Sequence, residues 1–117
     1  MIQNLNIEQL AGIMNSLPVD LCFIDENDLV RFFNKPETRI SKYPQSIIGK
    51  PVQDCHPENI LKTVNGMLSD FKDGKINFYD AQAEIDGKKI HVTYYPIRNK
   101  EGQYLGTLEL IRDVTPR

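Results

Sequence analysis

Apolar residues along this chain change their spacing several times, and each change marks a structural element. Leu10, Ile13, Met14 and Leu17 recur at the three- and four-residue intervals of one helix face. Asn6 stands before them with Gln9 three residues on, the capping-box spacing, and Pro18 stops the run. The pattern predicts a short amphipathic helix within residues 1–18. The period then shortens. LCFI, flanked by Asp20 and Asp25, reads as a mostly buried strand, and residues 29–33 read as its hairpin partner across a Glu26-Asn27-Asp28 turn. Asn34, with Glu37 three residues later, repeats the capping-box spacing and predicts a helical turn starting at Asn34.

Residues 36–53 are broken by Pro36, Pro44, Gly49 and Pro51, with Tyr43, Ile47 and Ile48 as anchors for one or two short helical turns. Helical spacing returns from Pro57, a residue favoured at the first helical position because its missing N–H would have no partner there. Ile60, Leu61, Val64, Met67, Leu68 and Phe71 form the apolar stripe, and Gly74 ends the helix. Three strands follow, over residues 76–85, 89–97 and 104–114. Asp86-Gly87 is a tight-turn signal between the first two, and residues 99–103, containing Gly102, turn between the last two. The order predicts an α+β domain. Its core is one five-stranded antiparallel sheet with several short helices and one longer helix on one face, preceded by the N-terminal amphipathic helix.

Composition narrows the class. The 117 residues fit a single domain, read as a flanking helix over 1–18 and a core over 19–115. With 40% hydrophobic and 26% charged residues the chain has the balance of a globular protein rather than a disordered one. A net charge of -2 with scattered basic residues gives no stripe for phosphate, so nucleic acid is not among the expected partners. Cys22 and Cys55 form no CxxC pair, so no zinc site is expected, and both are read as reduced and at least partly buried. The N-terminus lacks a basic region followed by an apolar run, and no apolar stretch approaches bilayer length. These features predict a soluble, cytoplasmic protein without a membrane partner.

Three stretches carry a family resemblance. VDLCFIDENDLVRFFNK (19–35) resembles the opening hairpin of the PAS fold, with its acidic turn and the asparagine that caps the next helix. IIGKPVQDCHPEN (47–59) resembles the stretch in which a glycine precedes a His-Pro-acidic helix start, and YLGTLELIRDVT (104–115) the last strand with its Asp-x-Thr ending. The wording GKPVQDCHP with YLGTLELIRDVT is most similar to PAS domains attached to hemerythrin-like domains in bacterial and archaeal proteins of unknown function. The hemerythrin part with its His and Glu iron ligands is not in this sequence, so nothing about iron carries over. The resemblance implies a sensory module, not an enzyme, that binds a small ligand or cofactor between the sheet and the long helix. It also implies relay to a downstream signalling partner. The alternative is a ligand-free dimerisation or docking module.

Candidate site residues follow from that placement. His56, Met67, Leu68, Phe71, Phe78, Tyr94, Glu109 and Ile111 are the candidate pocket lining, each weighed against an ordinary filled core. Glu109 stands in an otherwise apolar strand, and alternation alone leaves its facing open. Tyr94 or Tyr95 is available as a polar group for a ligand. The cofactor is not named by the sequence. Haem is a minor alternative with His56 as ligand, since some PAS domains hold haem through a histidine on or near the long helix; the competing reading is a histidine that belongs to the helix start. His91, between Ile90 and Val92, faces away from both and reads as a solvated or packed strand residue. DCHPEN does not match the Asn-Cys-Arg-containing motif of flavin-adduct photosensors. Cys55-His56 as a nucleophilic pair lacks an orienting third group. Leu10, Ile13, Met14 and Leu17 are the candidate homodimer interface, or else a cap on the outer sheet face.

Overall fold

The computed structural model describes residues 1–35, 40 and 44–116. After a single 3-10 turn at Ile2–Asn4, helix α1 spans Ile7–Ser16 and opens with the expected box. Asn6 Oδ1 accepts from the Gln9 amide at 2.7 Å and Gln9 Oε1 accepts from the Asn6 amide at 3.0 Å. Strands β1 (Asp20–Asp25) and β2 (Val30–Phe33) form the first hairpin. Single 3-10 turns at Gln45–Ile47, Val52–Cys55 and Glu58–Ile60 lead into helix α2 (Leu61–Lys72). Strands β3 (Tyr79–Ile85), β4 (Lys88–Arg98) and β5 (Tyr104–Asp113) complete one sheet in the order β2-β1-β5-β4-β3, every neighbouring pair antiparallel.

The fold class is therefore the expected one, with boundaries moved by local chemistry. The helix expected from Pro57 opens as a 3-10 turn, and regular α geometry starts at Leu61. The first strand of the final meander starts at Tyr79 rather than at residue 76, because Ile76 packs on the core from the preceding loop. Turn chemistry sets the hairpins. Asp25 Oδ1 accepts from the amides of Asn27 and Leu29, and Asp28 takes a positive φ of 66°. Asp86 and Gly87 both have positive φ, as a two-residue turn matched to strand twist requires. Asn99 Oδ1 accepts from the amides of Glu101 and Gln103 to close the last turn. Pro36, Glu37 and Tyr43, and with them the turn expected to follow Asn34, lie outside the described residues.

Pairing across the sheet sorts its faces. Cys22, Glu109, Tyr94 and Tyr79 stand in one row, and Ile24 and Thr107 are paired in the next. This inner face meets α2, whose Val64, Met67, Leu68 and Phe71 are buried against Cys22, Ile24, Val30, Phe33 and Val52. The C-terminal end of α2 is held by polar contacts as well. Lys72 Nζ reaches Asp28 Oδ1 at 2.9 Å, and the Arg98 guanidinium donates to the Phe71 carbonyl while lying over the Tyr104 ring. No helix of the described residues is long and apolar enough to cross a membrane.

Candidate functional site

The inner sheet face is not covered evenly. α2 packs closely through Leu68 and Phe71, which are 2% and 0% exposed. Towards its N-terminal end the helix leaves a cleft of about 340 Å³ over β3 and β4. The helix side supplies Ile60, Thr63, Val64 and Met67, and His56 lies just before it. The sheet side supplies Tyr79, Ala81, Ala83, Val92 and Tyr94, with Gln82 beside them. The alanines on β3 stand where larger residues would fill this space. A larger hollow of about 610 Å³ lies at the far end of the sheet, lined by Glu84, Lys89, Ile90 and Val114 among others, but it is more open to solvent and has no helix over it.

The cleft carries polar groups without a formal charge. His56 Nδ1 lies 3.1 Å from the Val52 carbonyl. A carbonyl only accepts, so Nδ1 carries the proton, and Nε2 is the lone-pair nitrogen whenever the imidazole is neutral. Tyr79 and Tyr94 face each other across the β3–β4 pair with ring centroids 6.4 Å apart and planes tilted by 53°. Beneath Tyr94 in the adjacent strand, Glu109 points inward and is 4% exposed, which decides the facing that alternation left open. Cys55 is half-buried nearby. Burial pushes its thiol pKa up, and the charges of Asp54 and Glu109 add to that against an opposing contribution from Lys50.

The expected lining residues separate into three groups. His56, Met67 and Tyr94 do border the cleft. Leu68, Phe71, Glu109 and Ile111 are buried on the inner side without bordering it. Phe78 is 58% exposed, because Tyr79, one residue on, takes the inner position; a one-residue step along a strand exchanges faces. Tyr79 was among the lining residues missed, with Thr63, Val64, Ala81 and Val92, and its own signal was present. Counting seven residues outward from each side of the Asp86-Gly87 turn sets Tyr79 opposite Tyr94. His91 lies on the outer face, its Nε2 3.1 Å from Asp80 Oδ1 and its Nδ1 2.8 Å from Arg112. In the N-terminal helix Leu10 and Met14 are half-buried, whereas Ile13 and Leu17 are exposed at 46% and 38%. No cluster of three or more His, Cys, Asp or Glu suited to a metal ion occurs among the described residues.

A five-stranded antiparallel sheet in this order, with a helix across one face and a small cleft beneath it, defines a PAS-type domain. The chain belongs to the PAS family: a family model described as a PAS domain matches residues 10–115. A comparison with curated proteins finds no significant match. Among solved structures, the C-terminal domain of a protein from Streptococcus mutans is similar at 27% identity and a TM-score of 0.86, over 96% of this chain and 87% of that one. The PAS domain of a protein from Colwellia psychrerythraea aligns over 95% of this chain and 98% of its own, with a TM-score of 0.69 and 19% identity. A sensory box sensor histidine kinase structure from Vibrio cholerae aligns over 94% and 92%, with a TM-score of 0.64 and 14% identity.

Proposed function

We propose that this domain is a sensory module that takes one small molecule into the cleft between α2 and strands β3 and β4 and passes its occupancy to a signalling partner. The observation that carries this reading is the cleft itself: about 340 Å³ of space, bordered by two tyrosines, a histidine, a threonine and a glutamine on an otherwise apolar lining. Ligand pockets share that design, with apolar walls for affinity and few polar groups for orientation. The reading assigns the domain no catalytic step. Its two cysteines form no disulfide, which suits a reducing compartment, and we place it in the cytoplasm.

The relay would run through the end of β5. Asp113 Oδ1 accepts from the amide and hydroxyl of Thr115, and Thr115 Oγ1 accepts from the Lys89 amide at 2.8 Å. The Asp-x-Thr ending is thereby tied to the start of β4, the strand that carries Val92 and Tyr94 into the cleft. A ligand shifts such a system only by binding one arrangement of β4 more tightly than another. Native mass spectrometry of freshly purified protein tests the reading: a stoichiometric small-molecule adduct supports it, and a bare protein mass refutes it.

The described lining speaks against haem: the cleft is at the small end of ligand-pocket volumes, and among the described residues it offers no cation for the propionates. A homodimer is the second reading, favoured by α1, which buries no residue and exposes Ile7, Ile13 and Leu17. Light scattering at micromolar concentration decides it, and a monomer mass removes it.

A further inference from the structure

We infer that the cleft selects a small, uncharged, flat aromatic molecule carrying a hydrogen-bond donor, of the size and chemistry of indole. This rests on the ligand-binding reading above and narrows it. Three observations converge on the class.

The first is charge. Among the described residues the cleft lining has no Lys, Arg, Asp or Glu, so an anion or a cation would leave water without a charged partner among them. The second is shape. Tyr79 and Tyr94 border the cleft as a tilted aromatic pair, with ring planes at 53°, and aromatic rings favour a further flat aromatic neighbour packed offset or edge-on. Met67 offers a thioether on the helix side, a favourable neighbour for a ring, and Ala81 opens the floor for it. The third is polarity. The bond from His56 Nδ1 to the Val52 carbonyl leaves Nε2 as an acceptor, and the ring borders the cleft. An acceptor there asks for an N–H or O–H donor on the ligand.

Four probes separate these requirements: indole, 1-methylindole, benzoate and benzylamine, each titrated into 15N-labelled protein and followed through the amides of Thr63, Met67, Tyr79 and Tyr94. Indole is expected to move these amides and to bind about tenfold more tightly than 1-methylindole, the effect of one neutral hydrogen bond. His56→Phe, which keeps a ring in the lining but removes the acceptor, should erase most of that tenfold difference. Equal binding of indole and 1-methylindole by the unaltered protein overturns the inference without reliance on the variant. Tighter binding of benzoate or benzylamine overturns it as well, while leaving the cleft as a ligand site. If none of the four moves the cleft amides, the inference fails. The native mass spectrum then separates the two claims: an adduct of another class preserves the ligand-binding reading, and a bare mass removes both.

Discussion

Replacing Asn34 by alanine tests how the end of β2 is joined to β1 and to the N-terminal helix. The Asn34 side chain is 0% exposed. Its Oδ1 accepts from the Leu21 amide at 2.7 Å, and its Nδ2 donates to the carbonyls of Met14 at 2.8 Å and Val19 at 3.0 Å. The Asn34 amide donates to the Leu21 carbonyl at 3.1 Å. The side-chain oxygen therefore stands in for a strand carbonyl and prolongs the β1–β2 ladder by one residue. Alanine leaves the Leu21 N–H buried without that acceptor, at a cost of about 1–3 kcal/mol. Met14 and Val19 are half-buried, so their carbonyls turn to water and lose only about 0.5 kcal/mol each. The total is about 3 kcal/mol, a large share of the roughly 5–15 kcal/mol that holds a domain folded. At about 4 °C per kcal/mol for a chain of this size, Tm should fall by about 12 °C in a circular-dichroism melt. Amide exchange at Leu21 should accelerate in the same variant. A fall of less than about 3 °C, or unchanged exchange at Leu21, would show that this side chain does not hold the hairpin.

Three further outcomes follow from single sites. Gly106→Ala should lower stability by on the order of 3 kcal/mol, because a Cβ there would lie 2.2 Å from the Ile24 carbonyl oxygen at a φ of 153°, in the central β1–β5 pair; an unchanged urea midpoint would contradict it. Cys55 should react with iodoacetamide more slowly than free cysteine at neutral pH, since burial and the Asp54 and Glu109 charges keep it a thiol; faster alkylation would refute this. The Asp25 carboxyl is held below its ordinary 3.8: burial opposes its ionisation, but hydrogen bonds from Arg31, Leu29 and Asn27 together outweigh it. A depressed native pKa contributes stability that is complete above that ordinary value and is lost as pH falls through the native one. Urea unfolding from pH 5 down to pH 2 should therefore show a shallower acid loss in Asp25→Asn than in the unaltered protein, and identical slopes would refute the assignment.

The elements were legible because each is announced locally. Asn6 and Gln9 box the first helix, Asp86-Gly87 can close only a tight hairpin, and the Val64–Met67–Leu68–Phe71 spacing makes one buried helix face. The site was only partly legible. Met67, Leu68 and Phe71 belong to one stripe, yet the structure sends Met67 to the cleft and packs Leu68 and Phe71 into the core. The spacing of apolar residues reports burial, not whether the buried side meets a wall or a space. Phe78 and Tyr79 show the same limit for a strand, where the two residues are equally apolar but alternate in direction.

The chain by itself determined the order of elements, the antiparallel hairpins and the identity of most core residues, since these depend on contacts between near neighbours and on spacing. The cleft left between the N-terminal end of α2 and strands β3 and β4 was decided only by tertiary structure. The other end of α2 is fastened through Lys72 to Asp28 and the Phe71 carbonyl to Arg98, by residues far apart in the chain. The same holds for Glu109, whose inward facing is set by pairing with Cys22 on one side and Tyr94 on the other, a register that no local pattern specifies.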